Sequence, residues 1–317
     1  MMRAEGPERH KFAIGAAVGL VAVAGALWAQ ETVFRTGVSL VRVDAQVSDG
    51  LKGIDHLDKE DFTVKDNGVD QPILYCSQED QAMDILLLFD SSASMAPAIR
   101  RLAASAHTAL QELHEGDRVA VANFNTDAWL IGNFDKDLAS VEETVGRVVD
   151  LRYGGGTHIL SSVYDAATFF KRSADPHRRH AILVFTDDDG QPSMRERKVI
   201  DHLWESDIML CGLIIETPDS KRSAVRGCPM GCESILQVVA KTGGETVNAD
   251  DPGHAFREML HRMRMRYSIY YQMPNGRAGS AREVSLQLSP AAKSKYPQGY
   301  VLARKGYLIP KATVSSK

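Results

Sequence analysis

Hydrophobic positions follow two different rhythms along this chain, and the rhythm changes twice. From Val38 to Val47 apolar and polar residues alternate, with Val41, Val43, Ala45 and Val47 on one face and Arg42, Asp44 and Gln46 on the other. A period of two is that of a half-buried strand. Asp49-Gly50 then marks a turn. Asp61 to Lys65 is strand-like and ends at Asp66-Asn67-Gly68, a strong turn signal, and Gln71 to Cys76 is extended. The stretch from about Glu31 to Asp80 is therefore expected to be all-β. A few short strands bury little core by themselves, so this stretch needs a partner.

From Asp84 the pattern becomes apolar runs alternating with amphipathic helices, which predicts a parallel sheet covered on both faces. Ile85 to Phe89 is uniformly apolar, as a central strand should be. Ile99, Leu102, Ala103, Ala106, Leu110 and Leu113 then recur at helical spacing. Arg118 to Phe124 and Ala128 to Phe134 flank Asn125-Thr126-Asp127 and predict a hairpin, hence one antiparallel strand. Val141 to Leu151 is helical, Gly154-Gly155-Gly156 breaks the chain, and a helix runs from Ile159 to Lys171. Ala181 to Phe185 is a second buried strand. Arg195 to Glu205 is helical, Ile208 to Ile215 a strand, Ile235 to Lys241 a helix, Glu245 to Asn248 a short strand and Ala255 to Arg266 a last helix. About six strands with as many helices make one doubly wound domain.

After Arg266 the alternating rhythm returns. Ser268 to Gln272 and Glu283 to Leu288 surround a Pro274-Asn275-Gly276 turn region, and Gly299 to Ile309 adds one or two short strands. The two β-rich ends can complete each other, which would make the α/β domain an insertion into a small β-sandwich. The expected fold is thus α/β: a doubly wound, mostly parallel sheet with one antiparallel strand, plus a sandwich-like domain from the flanking segments. The expected divisions are 31–80 and 267–310 for the β segments, 81–266 for the α/β domain and 311–317 for a tail.

Composition refines this picture in few respects. With 317 residues, 44% of them hydrophobic and 25% charged, the chain reads as folded and soluble. A net charge of -4 provides no basic field for nucleic acid or anionic lipid, so neither is an expected partner. Arg3, Arg9, His10 and Lys11 precede an apolar run from Phe12 to Ala29, the layout of a signal peptide over residues 1–29. The expectation is an exported, periplasmic, extracellular or envelope-associated protein, with an uncleaved N-terminal anchor as the alternative. Among the four cysteines, Cys211 lies in an apolar run and is expected to be a buried thiol. Cys228 and Cys232 sit in a turn-rich stretch suited to a local disulfide, and no matching pair supports a zinc site.

The chemistry is concentrated in three oxygen-rich loops. In a doubly wound sheet, ligands bind beyond the carboxyl ends of the strands. The strand ending at Phe89 runs into Asp90-Ser91-Ser92-Ala93-Ser94, the triple glycine delivers Thr157, and the strand ending at Phe185 runs into Thr186-Asp187-Asp188-Asp189-Gly190. Alternate residues Asp90, Ser92 and Ser94 can point the same way in an extended turn. Hydroxyl and carboxylate oxygens without cysteine or paired histidine suit a hard cation: Mg²⁺ first, Mn²⁺ or Ca²⁺ as alternatives. Each loop alone has a plainer reading, since Ser92, Ser94 and Thr157 are ordinary helix caps and the acidic triplet is an ordinary turn. Three such loops converging on one sheet edge favour the site.

D-x-S-x-S after an apolar strand, then G-G-x-T, then T-D after another apolar strand, resembles the metal-ion-dependent adhesion site of von Willebrand factor type A domains. The resemblance covers roughly Ala82 to Arg266. It implies that Ser92 and Ser94 ligate the metal directly, Thr157 directly or through water, and Asp90 and Asp187 mostly through water, with an Asp or Glu of a partner protein completing the shell. Segments from Phe34 to Phe62 and from Ala303 to Pro310 are more loosely similar to exported von Willebrand factor A-related proteins described from acidobacteria. The family usually places Gly directly after the third-loop Asp, whereas Asp188 and Asp189 intervene here. Those extra carboxylates could favour Ca²⁺ or a second ion.

Catalysis finds no support in these motifs. Asp90 follows a buried strand as a phosphatase nucleophile would, but Ser92 stands where the second acid belongs. No G-x-S-x-G elbow surrounds Ser92 or Ser94. The expected function is non-enzymatic: an exported, metal-dependent adhesion or assembly module that captures an acidic partner group. A structural module whose metal takes no ligand is the alternative, ahead of a metal-dependent hydrolase.

Overall fold

The computed structural model describes residues 39–50, 52–78, 81–175, 177–226, 232–249 and 251–310, all within the compact unit Val38–Lys317. The expected signal peptide, Cys228 and the tail lie outside the described residues. Five strands open the described chain: β1 (Leu40–Asp49), β2 (Lys52–Gly53), β3 (Phe62–Asp66), β4 (Val69–Gln71) and β5 (Ile73–Ser77). The α/β region follows, with β6 (Met83–Asp90), α1 (Ala96–Leu110), β7 (Arg118–Phe124), β8 (Ala128–Asp135), α2 (Leu138–Val148), α3 (Ile159–Ser173), β9 (Arg179–Thr186) and α4 (Glu196–Glu205). It continues through β10 (Ile208–Ile214), α5 (Pro218–Arg226), α6 (Leu236–Thr242), β11 (Thr246–Asn248) and α7 (Pro252–Arg264). β12 (Tyr267–Gln272), β13 (Ala281–Leu288), α8 (Pro290–Lys295), β14 (Gly299–Ala303) and β15 (Gly306–Leu308) complete it.

The central sheet has the order β11-β10-β9-β6-β7-β8, parallel except for β8, which returns antiparallel to β7. Every residue of β6 and of β10 is buried. Alternate side chains of these strands feed two cores: Ile85, Leu87 and Phe89 meet α1, α2 and α7, while Leu86 and Leu88 meet α3, α4 and α6. β6 and β9 are neighbours, yet the chain leaves β6 for α1 on one face and β9 for α4 on the other. Strand order therefore reverses between them, and a crevice opens at their carboxyl ends.

The flanking segments form two further sheets, β14-β1-β12-β5 with β2 beside β1, and β15-β13-β3-β4. Each joins strands from opposite ends of the described chain: β1 pairs with β12 and β14, and β3 with β13. Their apolar positions share one core that includes Val43, Ala45, Phe62, Val64, Ile269, Tyr271, Leu286 and Tyr307. Asp66 is fully buried there and accepts the hydroxyls of Tyr271 and Tyr307, each at 2.8 Å, besides pairing with Arg282.

Two helices, α5 and α8, add to the expected pattern. Both are short and polar, α8 being held by the Ser289 side chain accepting from the Ala292 amide and by Pro290 in its first turn. Among the described residues no helix is long and apolar enough to cross a membrane. Cys76 and Cys211 are free thiols, Cys211 buried as expected, and Cys232 is disulfide-bonded to a partner outside the described residues.

Candidate metal centre

Asp90 is the last residue of β6 and Asp187 directly follows β9, so the strand reversal brings them to one crevice. Asp90 is fully buried; its Oδ1 accepts the Ser92 amide at 2.8 Å and its Oδ2 the Thr186 hydroxyl at 2.7 Å. Ser92 and Ser94 then turn inward. Ser94 Oγ donates to Asp187 Oδ2 at 2.8 Å, and the two serine hydroxyls lie 3.2 Å apart. The Ser94 proton goes to the carboxylate, and both serine hydroxyl oxygens retain lone pairs. Neither serine caps a helix through its side chain: Ser92 precedes the short turn Ala93–Met95 without such a bond, and the residue before α1 is Met95. The plainer reading of these serines is thereby set aside.

Thr157 arrives between these loops on backbone bonds. The Gly154 amide donates to Ser91 O at 3.0 Å, and the Gln191 amide to Thr157 O at 2.8 Å, tying its loop to those after β6 and β9. Gly155 has φ +88°, a left-handed conformation open to glycine, and a Cβ on Gly156 would lie 2.6 Å from Gln191 Oε1. Thr157 is nearly buried, and its hydroxyl makes no hydrogen bond among the described residues. No hydrogen bond among the described residues joins it to the serines, whereas Asp90, Ser92, Ser94 and Asp187 form one connected chain.

The family described as von Willebrand factor type A domain matches residues 85–191, a span that contains all five of these side chains. Over residues 85–191 the chain carries a von Willebrand factor type A domain. No curated protein matches it. Among solved structures it is similar to an aerotolerance-related membrane protein from Bacteroides fragilis, at 17% identity over 57% of this chain and 98% of that one, with a TM-score of 0.44. It is similar to von Willebrand factor type A from Catenulispora acidiphila, at 15% identity over 88% and 76% of the two chains and a TM-score of 0.45. The conserved hypothetical protein BatB from Bacteroides thetaiotaomicron gives 19% identity, 57% and 97% coverage, and a TM-score of 0.43.

Within the type A domain the acidic triplet divides its work. Asp188 adopts φ +55° and turns away from the crevice, accepting from the Ser234 hydroxyl at 2.6 Å and the Ile235 amide at 3.0 Å. It therefore caps the start of α6 and is not placed to serve a second ion beside Asp187. Glu233 is bound in a similar way, to the amides of Leu160, Ser193 and Met194. Thr217, from the loop after β10, adds a contact that the motifs did not reveal: its hydroxyl donates to Asp187 Oδ2 at 2.7 Å.

Electrostatically the crevice is unbalanced. Burial pushes the Asp90 carboxyl up to about 6, against the hydrogen bonds from Ser92 and Thr186, and nearby Asp187 adds to the rise. Asp90 and Asp187 have no ion-pair partner among the described residues, and Asp187 is only 5% exposed. Two nearly buried carboxylates without a counter-charge, beside hydroxyls with free lone pairs, fit a hard cation. No cluster of three or more His, Cys, Asp or Glu suited to a metal occurs among the described residues, so the donor set here is mainly hydroxyl.

Proposed function

We propose that this chain is an exported, non-enzymatic binding module that holds a divalent cation, Mg²⁺ foremost, and uses it to capture a carboxylate of a partner protein. Ser92, Ser94 and Thr157 would supply neutral oxygens to the ion, with Asp90 and Asp187 acting mostly through water. The observation that carries the reading is the pair of buried carboxylates linked through Ser92 and Ser94, with no side-chain cation paired to either among the described residues. Neutral direct ligands would leave the ion most of its charge, and a position open to solvent would then attract an anionic group. Mn²⁺ and Ca²⁺ remain alternative occupants. Export rests on the layout of residues 1–29, and the divisions 31–80, 81–266 and 267–310 are proposed with it.

The test compares thermal unfolding in Mg²⁺ and in EDTA, together with Mg²⁺-dependent capture of envelope proteins, for the mature chain and Ser94→Ala. Mg²⁺ at 100 times its Kd should stabilise the wild type by about 2.7 kcal/mol, and Ser94→Ala should lose most of that gain and the capture. Metal stabilisation without metal-dependent capture would favour a structural ion. Absence of any metal effect would end the proposal.

A further inference from the structure

We propose that Thr217 is a positioning residue of the metal centre, holding Asp187 by one carboxylate oxygen so that the other is presented to the ion. The inference rests on the reading of the centre given above.

Asp187 follows β9, and β9 lies between β6 and β10 in the sheet. Its Oδ2 receives one hydroxyl from each flanking strand's loop: Ser94 after β6 at 2.8 Å and Thr217 after β10 at 2.7 Å. A carboxylate oxygen has two lone-pair sites, so these two donors fill Oδ2 and leave Oδ1 for the ion or its water.

The direction of the Thr217 proton follows from its surroundings. Its Oγ1 accepts the Ser220 amide at 3.1 Å, while the Thr217 amide donates to Ser220 Oγ at 2.9 Å. This reciprocal pair, with Pro218 opening the helix, is a capping box for α5. Ser220 Oγ, 3.3 Å from Thr217 Oγ1, donates its own proton to Thr217 O at 3.1 Å. Of the two acceptors then within reach of the Thr217 proton, Asp187 Oδ2 at 2.7 Å is charged and much nearer than Ser220 Oγ at 3.3 Å. Thr217 is only 4% exposed, and its reciprocal bonds with Ser220 fix its place at the start of α5.

The experiment is calorimetric titration of the mature chain with MgCl₂ and MnCl₂, paired with thermal unfolding. Thr217→Val should weaken ion affinity about tenfold, the lower end for loss of a residue supporting a ligand, and Thr217→Ser should restore it. Ser220→Ala disturbs the same capping box but leaves the bond to Asp187, so it should lower the melting temperature and keep the affinity. Wild-type affinity in Thr217→Val, or equal weakening in Ser220→Ala, overturns the role of Thr217. If Asp187→Ala abolishes uptake while Thr217→Val does not weaken it, this inference alone fails. If the wild type takes up neither ion, the reading of the centre fails with it.

Discussion

The two ends of β6 each bury an aspartate completely, and they solve the problem in opposite ways. At the amino end, Asp84 accepts from both Arg118 and Arg178, with N to O distances of 2.6 and 2.7 Å at the closest, and from the Asp175 amide. Burial alone would raise its pKa, but these donors bring it below the usual carboxylate range. At the carboxyl end, Asp90 meets only uncharged donors, from Ser92 and Thr186, and its carboxyl rises to about 6. Asp66 and Asp117 also have an arginine of the chain beside them, Arg282 and Arg264 respectively, although burial still pushes the Asp117 carboxyl up. A carboxylate whose counter-charge is built into the chain locks structure. One whose counter-charge is missing is a place for something to arrive.

The contrast breaks most visibly at Asp84. Asp84→Ala would leave two guanidinium groups facing a void and should cost about 3 to 5 kcal/mol in urea unfolding, equally with Mg²⁺ or EDTA. Asp90→Asn should behave oppositely. In EDTA at neutral pH it removes an unbalanced charge and should stabilise by up to about 3 kcal/mol, while abolishing the response to Mg²⁺. The same quantity has a pH signature. Native Asp90 holds its proton more tightly than the unfolded chain, so EDTA-treated protein should lose this stability as pH rises from 3.8 to about 6. Mg²⁺ should restore it increasingly above that range; a metal response that shrinks with rising pH would contradict the assignment. The smallest effect is expected at Asp188: Asp188→Ala should lose about 1 kcal/mol of α6 capping and leave ion affinity unchanged.

Much of this was legible in residue order. Strands buried on both faces have no polar positions to obscure them, so β6, β9 and β10 stood out, and the loops they deliver contained the connected chain from Asp90 to Asp187. The parts that escaped are those whose meaning depends on a distant partner. Thr217 reads locally as a helix cap, and it is one; its bond to Asp187 appears only when β9 and β10 lie side by side. Asp188 looks like a third ligand until its left-handed backbone turns it toward Ser234. Arg264 and Arg266 resemble surface cations in the sequence, yet both are buried, Arg264 against Asp117 and Arg266 against Gln46 and Gly243 O. α5 and α8 were too short and polar to show periodicity.

The pairing of β1 with β12 carries a consequence for how the chain comes into being. Asp44 meets Ser268 across 224 residues, and β3 waits for β13 in the same way. During vectorial synthesis β1 and β3 have only the short neighbours β2 and β4 until β12, β13 and β14 have emerged, whereas every strand of the β6-to-β11 sheet has been made before β12. Contacts this remote in sequence form late. β1 and β3 are thus made early and fastened late, and a chain halted before β12 leaves both without their long-range partners.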